Sequence, residues 1–247
     1  MISKPAIQEP LTKKEIASLV NFLAYHLGYV PKKYPTAIFC KTAKEYALRY
    51  ETYKVKDPEI IDEINTEVDA FFDHWTDTIV FQGFSYHESK EIPRFIIPMG
   101  TVIHELIHFF QYATGTFGTY SVFYEGTNEI LAALFVDDFR FDYDKQVIYA
   151  FNLVMELCGH NIWAAIEWMR VYTLHSHKNR YVHRQLKQSS AFARYSPKKL
   201  MTILEDACED GGDLSKIDNE ETRKILTRYS LARIKKLLKT NREVIKL

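Results

Sequence analysis

Residues 104 to 108 read HELIH, two histidines four apart with a glutamate directly after the first. On a helix, positions four apart sit one turn apart on the same face, so His104 and His108 can aim two imidazole nitrogens at one point. Glu105 stands about 100° round the axis, flanking that point. This is the arrangement that holds zinc between two histidines with a carboxylate beside the metal's water. Such a site needs a third protein ligand, and FYEGTNEILAALF, residues 123 to 135, offers Glu125 and Glu129 on an otherwise apolar stretch. Being four apart, these also share a helical face.

The surrounding residues say how such a group must be held. Ile103, Ile107 and Phe110 form one stripe of the HELIH helix, and Val102, Leu106, Phe109 and Ala113 form a second. A helix that is apolar nearly all round is central and buried. Two histidines and a glutamate on it are costly unless they have partners. A carboxylate near a helix start is favoured by the macrodipole, which accounts for Glu125 alone but not for two acids on one face.

HEXXH followed by a helix with Glu-Gly and a further acid four residues on resembles the gluzincin metallopeptidases, the clan of thermolysin and the zinc aminopeptidases. Tyr124-Glu125-Gly126 is similar to the Asn-Glu-Gly of the aminopeptidases, and Glu129 stands where thermolysin-like enzymes carry an acid that orients the first histidine. The resemblance implies Zn2+ held by His104, His108 and Glu125, with Glu105 as general base and Glu129 hydrogen-bonded to a ligand. The gap from His108 to Glu125 is slightly shorter than in those families, which leaves Glu129 as an alternative ligand. The likeness covers about thirty-five residues, from near Phe95 to Phe135. The run from Tyr143 to Met169 resembles, more weakly, the helical pairs of small bacterial and phage gluzincin-like proteins. Hydrolysis of a peptide bond in a peptide or protein substrate is the implied activity. An oxyanion donor would come from Tyr143, Tyr149, His160 or His175, and the sequence does not choose. The alternatives are a zinc protein without turnover and a hydrolase of a non-peptide amide.

The elements that must position these residues follow from pattern. Thr12 and Glu15 have capping-box spacing ahead of Ile16, Leu19, Val20 and Leu23, and Gly28 closes that helix. TAIFC (36 to 40) reads as a strand leading into a helix over KTAKEYALRYE. Asp57-Pro58 opens a helix whose inward residues run from Ile60 to Phe71 and Phe72. TIVFQGF (78 to 84) and RFIIP (94 to 98) read as two strands of one small sheet. Helices are then expected over 99 to 114, with Gly115 after its last turn, and over 121 to 137, 144 to 158, 161 to 174, 197 to 209 and 218 to 239. The stretch with His175, His177 and His183 reads as a surface loop or exposed helix, and Arg223 to Lys246 as an amphipathic helix docked on the core. The fold class is α+β with helix dominant: a small mixed N-terminal sheet packed on a central HEXXH helix, then a helical C-terminal half, zincin-like by the resemblance. Residues 1–138 form the expected metallopeptidase core and 139–247 a helical subdomain.

Composition narrows the class. With 247 residues and 47% hydrophobic content, the chain can bury a substantial core. Zero formal net charge argues against nucleic acid as the main partner of the whole chain. The charge is uneven, however: acids crowd Asp57 to Glu91, whereas no acid stands between Glu167 and Glu205. Cys40, Cys158 and Cys208 form no C-x-x-C pair and read as reduced core residues. The N-terminus carries Glu9 and Glu15 where a signal peptide would be apolar, so a cytoplasmic protein is expected. The run from Leu106 to Tyr124 lacks charge but is broken by His108, Gln111 and glycines, a poor membrane span.

Overall fold

The computed structural model describes residues 6–7, 10–53, 69–87, 90–93, 97–114 and 120–242. The chain divides into two compact units, Met1–Tyr112 and Ala113–Leu247. Helix dominates and the small mixed sheet lies in the first unit, which is the expected α+β class. The anticipated helix from Asp57 and the glycine after the HELIH helix, Gly115, lie outside the described residues, except for Phe71 and Phe72.

In the first unit, β1 (Ala6–Ile7) precedes α1 (Lys13–Leu27). The Thr12 hydroxyl accepts the Glu15 N–H at 3.2 Å while the Glu15 carboxylate accepts the Thr12 N–H at 2.9 Å, so two otherwise orphaned helix donors are satisfied reciprocally. Gly28 ends the helix at φ 76°, a left-handed conformation that costs glycine little, and its N–H reaches Ala24 O. β2 (Thr36–Cys40) and α2 (Ala43–Tyr53) lead to β3 (Ala70–Asp73) and β4 (Thr78–Gln82). The sheet order is β2-β4-β3, with β2 parallel and β3 antiparallel to β4. β4 is buried along its whole length, which is why TIVFQ reads as an unbroken run rather than an alternation.

Phe71 and Phe72 correct the sequence reading: they lie on β3, not on a helix. A strand sends neighbouring side chains to opposite faces, and this sheet is covered on both. Phe71 meets Tyr46 of α2 at 5.5 Å between ring centroids, whereas Phe72 meets Phe109 of the HELIH helix at 5.8 Å. The small sheet therefore packs on that helix, as expected. TIVFQGF is also shorter as a strand than expected: β4 stops at Gln82, and Phe84 begins β5 (Phe84–His87), which pairs with β6 (Lys90–Pro93). Of RFIIP, the described part is β7 (Ile97–Pro98), and it pairs with β1 rather than joining β4 in one sheet. β7 feeds directly into α3 (Met99–Ala113), the HELIH helix, which is buried at every position from Val102 to Gln111.

The second unit is helical among its described residues: α4 (Ser121–Val136), α5 (Asp144–Leu157), α6 (Ile162–Leu174), α7 (Lys178–Gln188), a 3₁₀ turn (Ser190–Phe192), α8 (Pro197–Glu209), α9 (Glu220–Leu226) and α10 (Leu231–Asn241). α4 lies closely along α5. A Cβ at Gly126 would fall 2.4 Å from Gln146 O and 2.9 Å from the Ala150 methyl, both on α5. Only the missing side chain lets the two backbones approach. Gly126→Ala is therefore expected to force α4 away from α5, costing about 1–3 kcal/mol and lowering the melting temperature. An unchanged melt in calorimetry would contradict this packing.

The single helix expected over 218 to 239 is two helices, and the cause is a distant side chain. Asn152 of α5, 2% exposed, accepts the Tyr229 N–H at 2.8 Å and donates to Tyr229 O at 3.0 Å. With both backbone groups of Tyr229 taken by a side chain, the helix ladder has nothing to continue through. Ser230 then caps the start of α10. His175–His183 include an ordered helix start: Lys178 is buried, its Nζ donates to His175 O at 3.2 Å, and burial pushes its pKa down to about 8. All three cysteines are free; Cys40 is buried and Cys158 and Cys208 half-buried. No described helix is long and apolar enough to cross a membrane.

Candidate metal centre

α3 brings His104, Glu105 and His108 together as a buried group whose ligand atoms all lie within 4.8 Å of one another. The two Nε2 atoms face each other at 2.9 Å, and the rings meet edge to face with centroids 4.6 Å apart. Two nitrogens each ~2.0–2.1 Å from one tetrahedral ion stand about 3.3 Å apart, so opening the pair by a few tenths of an ångström would admit a metal between them. The donor set fits a borderline-soft divalent ion of the zinc type: two imidazoles from one helical face and a carboxylate beside them. Each of the three is at most 6% exposed. At that depth, charge and polarity persist only with partners.

Two of the neighbours that serve the group were not legible as such in the sequence. Gln111, fully buried, places its Oε1 3.1 Å from His108 Nδ1. An amide oxygen only accepts, so His108 donates from Nδ1, and its Nε2 then presents a lone pair towards His104. The signal was present: a glutamine three residues after a histidine on the same helical face, in an apolar helix. In the sequence it stands only as an interruption of an uncharged run. The second neighbour is Tyr46 of α2, wholly buried, whose hydroxyl is held protonated first by burial and then by the negative charge of Glu105. The fold of the first unit brings it within electrostatic reach of Glu105. Gln111→Leu is expected to lower metal affinity 10- to 100-fold in a chelator competition, whereas Gln111→Glu, which keeps an acceptor, should retain it. Equal affinities in the two variants would deny Gln111 its orienting part.

Glu125 and Glu129 belong to α4, in the second unit. Glu125 is half-buried; Glu129 is buried, and its carboxylate accepts the Asp142 N–H at 3.3 Å. Gly126, the glycine of Glu-Gly, has a packing reason of its own in the approach to α5. Of the four oxyanion candidates, Tyr149 is buried and donates to Gly212 O at 3.2 Å, with burial pushing its pKa up to about 12. His160 lies against Glu156 at 3.2 Å and contacts Arg228. His175 accepts the His177 N–H at 3.0 Å, and Tyr143 immediately precedes α5.

Fold and site thus define a helix-dominant α+β protein with a buried His-Glu-His group able to receive a metal ion. No protein-family model matches the chain, and neither the curated proteins nor the solved structures include a match to it.

Proposed function

We propose that the protein is a zinc-dependent metallopeptidase, cleaving a peptide bond in a peptide or protein substrate. The observation that carries this reading is the convergence of His104, Glu105 and His108 inside a buried helix that is apolar nearly all round. A bound zinc ion would supply Lewis acidity towards the scissile carbonyl and lower the pKa of water at an open position. His104 and His108 would hold it through Nε2, with the His108 ring fixed by Gln111. Glu105 would take the proton of the attacking water and pass it to the leaving amine. The low dielectric around this buried carboxylate strengthens every interaction it makes. A zinc protein without turnover is the alternative, but an acid at position 105 has no purpose there.

The third ligand rests on the Glu-Gly resemblance, which selects Glu125 and gives Glu129 an orienting part. Glu125→Ala is accordingly expected to lose zinc under mild chelation, whereas Glu129→Ala weakens affinity or turnover roughly 10- to 100-fold without eliminating either. The reverse order would move the ligand to Glu129. The reading as a whole is tested by the metal content of the purified protein together with cleavage of an unbiased peptide library. About one zinc per chain and chelator-sensitive cleavage are expected. One zinc without cleavage of any peptide would leave a metal protein of another kind.

A further inference from the structure

The second unit carries a cationic face that the metal centre does not use. On α7, Arg180, Arg184 and Lys187 are exposed at positions i, i+4 and i+7, one stripe about 10 Å long. The opposite side of the same helix is buried through Tyr181, Val182 and Leu186, so the stripe faces solvent on a rigid, anchored element. Lys198, exposed in the first turn of α8, extends it. α7 packs against α8, which places the two sets of cations on adjoining elements; burial, then the charges of Lys187 and Lys198, hold the pKa of His183 below the ordinary value, and its Nε2 pairs with the Tyr120 hydroxyl at 2.8 Å. Arg184 is steadied over the Tyr181 ring at 5.8 Å and disfavours the charged form of His175 as well.

Several cations elsewhere in this unit are paired with acids. Arg140 pairs with Asp138, Arg170 with Glu167, Lys216 with Asp206, Lys224 with Glu220, Arg228 with Glu156 and Arg242 with Asp137. Among the described residues, none of Arg180, Arg184, Lys187 and Lys198 is in an ion pair. No acid lies between Glu167 and Glu205, and the Glu205 carboxylate is engaged with the Ser121 N–H at the start of α4. The zero net charge of the chain averages over this asymmetry.

We propose that this face docks the phosphodiester backbone of duplex nucleic acid, without regard to sequence. Duplex DNA carries about one negative charge per 1.7 Å of axis, so a length of duplex equal to the stripe presents more phosphates than the row of uncompensated cations needs. Arginine's planar fork suits phosphate oxygens better than an ammonium does. The stripe's length is on the scale of the ~12 Å major groove. A membrane surface is the poorer fit, because α7 keeps its apolar side chains buried and offers none for insertion between lipids. Base stacking in single strands is disfavoured likewise, since Tyr181, Phe192 and Tyr195 are buried. The proposal is independent of the metal centre.

The test is fluorescence anisotropy of a labelled random-sequence duplex of about 20 base pairs with the full chain, run at about 50 and 200 mM salt. If four phosphates are neutralised, affinity should fall roughly a hundredfold between these conditions. The triple variant Arg180→Glu/Arg184→Glu/Lys187→Glu should lose at least tenfold at the lower salt and most of the salt dependence. Lys216→Gln/Lys224→Gln, which removes cations already paired with acids, should bind like the parent. Should the triple variant fail to fold by circular dichroism, Arg184→Gln/Lys187→Gln must show a smaller loss in the same direction. Absence of salt-dependent binding, or equal binding by the variants, overturns the proposal. So does equal affinity for poly-glutamate or for phosphatidylserine vesicles, which would assign the face to an acidic protein or to a lipid surface.

Discussion

Glu105→Gln is expected to retain about one zinc per chain and the parent's melting temperature while hydrolysing peptides at least a hundredfold more slowly, the typical worth of a general base. Glutamine keeps the volume and the hydrogen-bonding reach of glutamate but cannot take a proton at neutral pH. At 6% exposure the substitution also exchanges a buried charge for a neutral amide, so stability should hold or rise. The separation of metal content from turnover gives the experiment its force. If Glu105→Gln cleaves a peptide substrate as fast as the parent, the carboxylate is structural and the peptidase mechanism proposed here is wrong.

His104→Ala and His108→Ala should each abolish stoichiometric zinc binding, measured as metal content after dialysis against a mild chelator. Each removes one of the two nitrogens that meet at 2.9 Å, and a single remaining imidazole with flanking carboxylate makes a weak site. Both should also lower thermal stability relative to the metal-loaded parent, since metal bound only by the folded state stabilises that state by mass action. Full zinc occupancy in both variants would remove the site from α3 altogether.

Much of this was legible in the letters, where local chemistry decides. The spacing of Thr12, Glu15 and Gly28 marked both ends of α1, and the fourfold spacing of His104 and His108 fixed their common face. What the letters concealed depended on partners far along the chain. Phe71 and Phe72 suit a helix or a strand equally until a sheet is known to be covered on both faces. The break at Tyr229 requires Asn152, 77 residues earlier in sequence. α7 shows so few apolar letters, with only Tyr181, Val182, Leu186 and the buried Lys178 turned inward, that its amphipathic pattern was hidden among charges. Gln111 was visible, but its purpose needed the direction of the His108 ring.

The clamp of Asn152 on Tyr229 has a bearing on how the chain is assembled during synthesis. In the first unit, β2, α2, β3 and β4 close their pairings within about fifty residues of one another, soon after they leave the ribosome. α5 has to wait: until Tyr229 emerges, the Asn152 amide has only the Ile148 carbonyl of its own helix to hold, and the side of α5 that later packs on α9 and α10 stands uncovered. The second unit therefore matures last, and its clamp closes a longer loop than the pairings of the β2-β4-β3 sheet. A nascent chain paused between α8 and α9 would carry a formed sheet and HELIH helix and an unfinished helical unit, the stage at which this protein is most exposed to aggregation and to proteolysis.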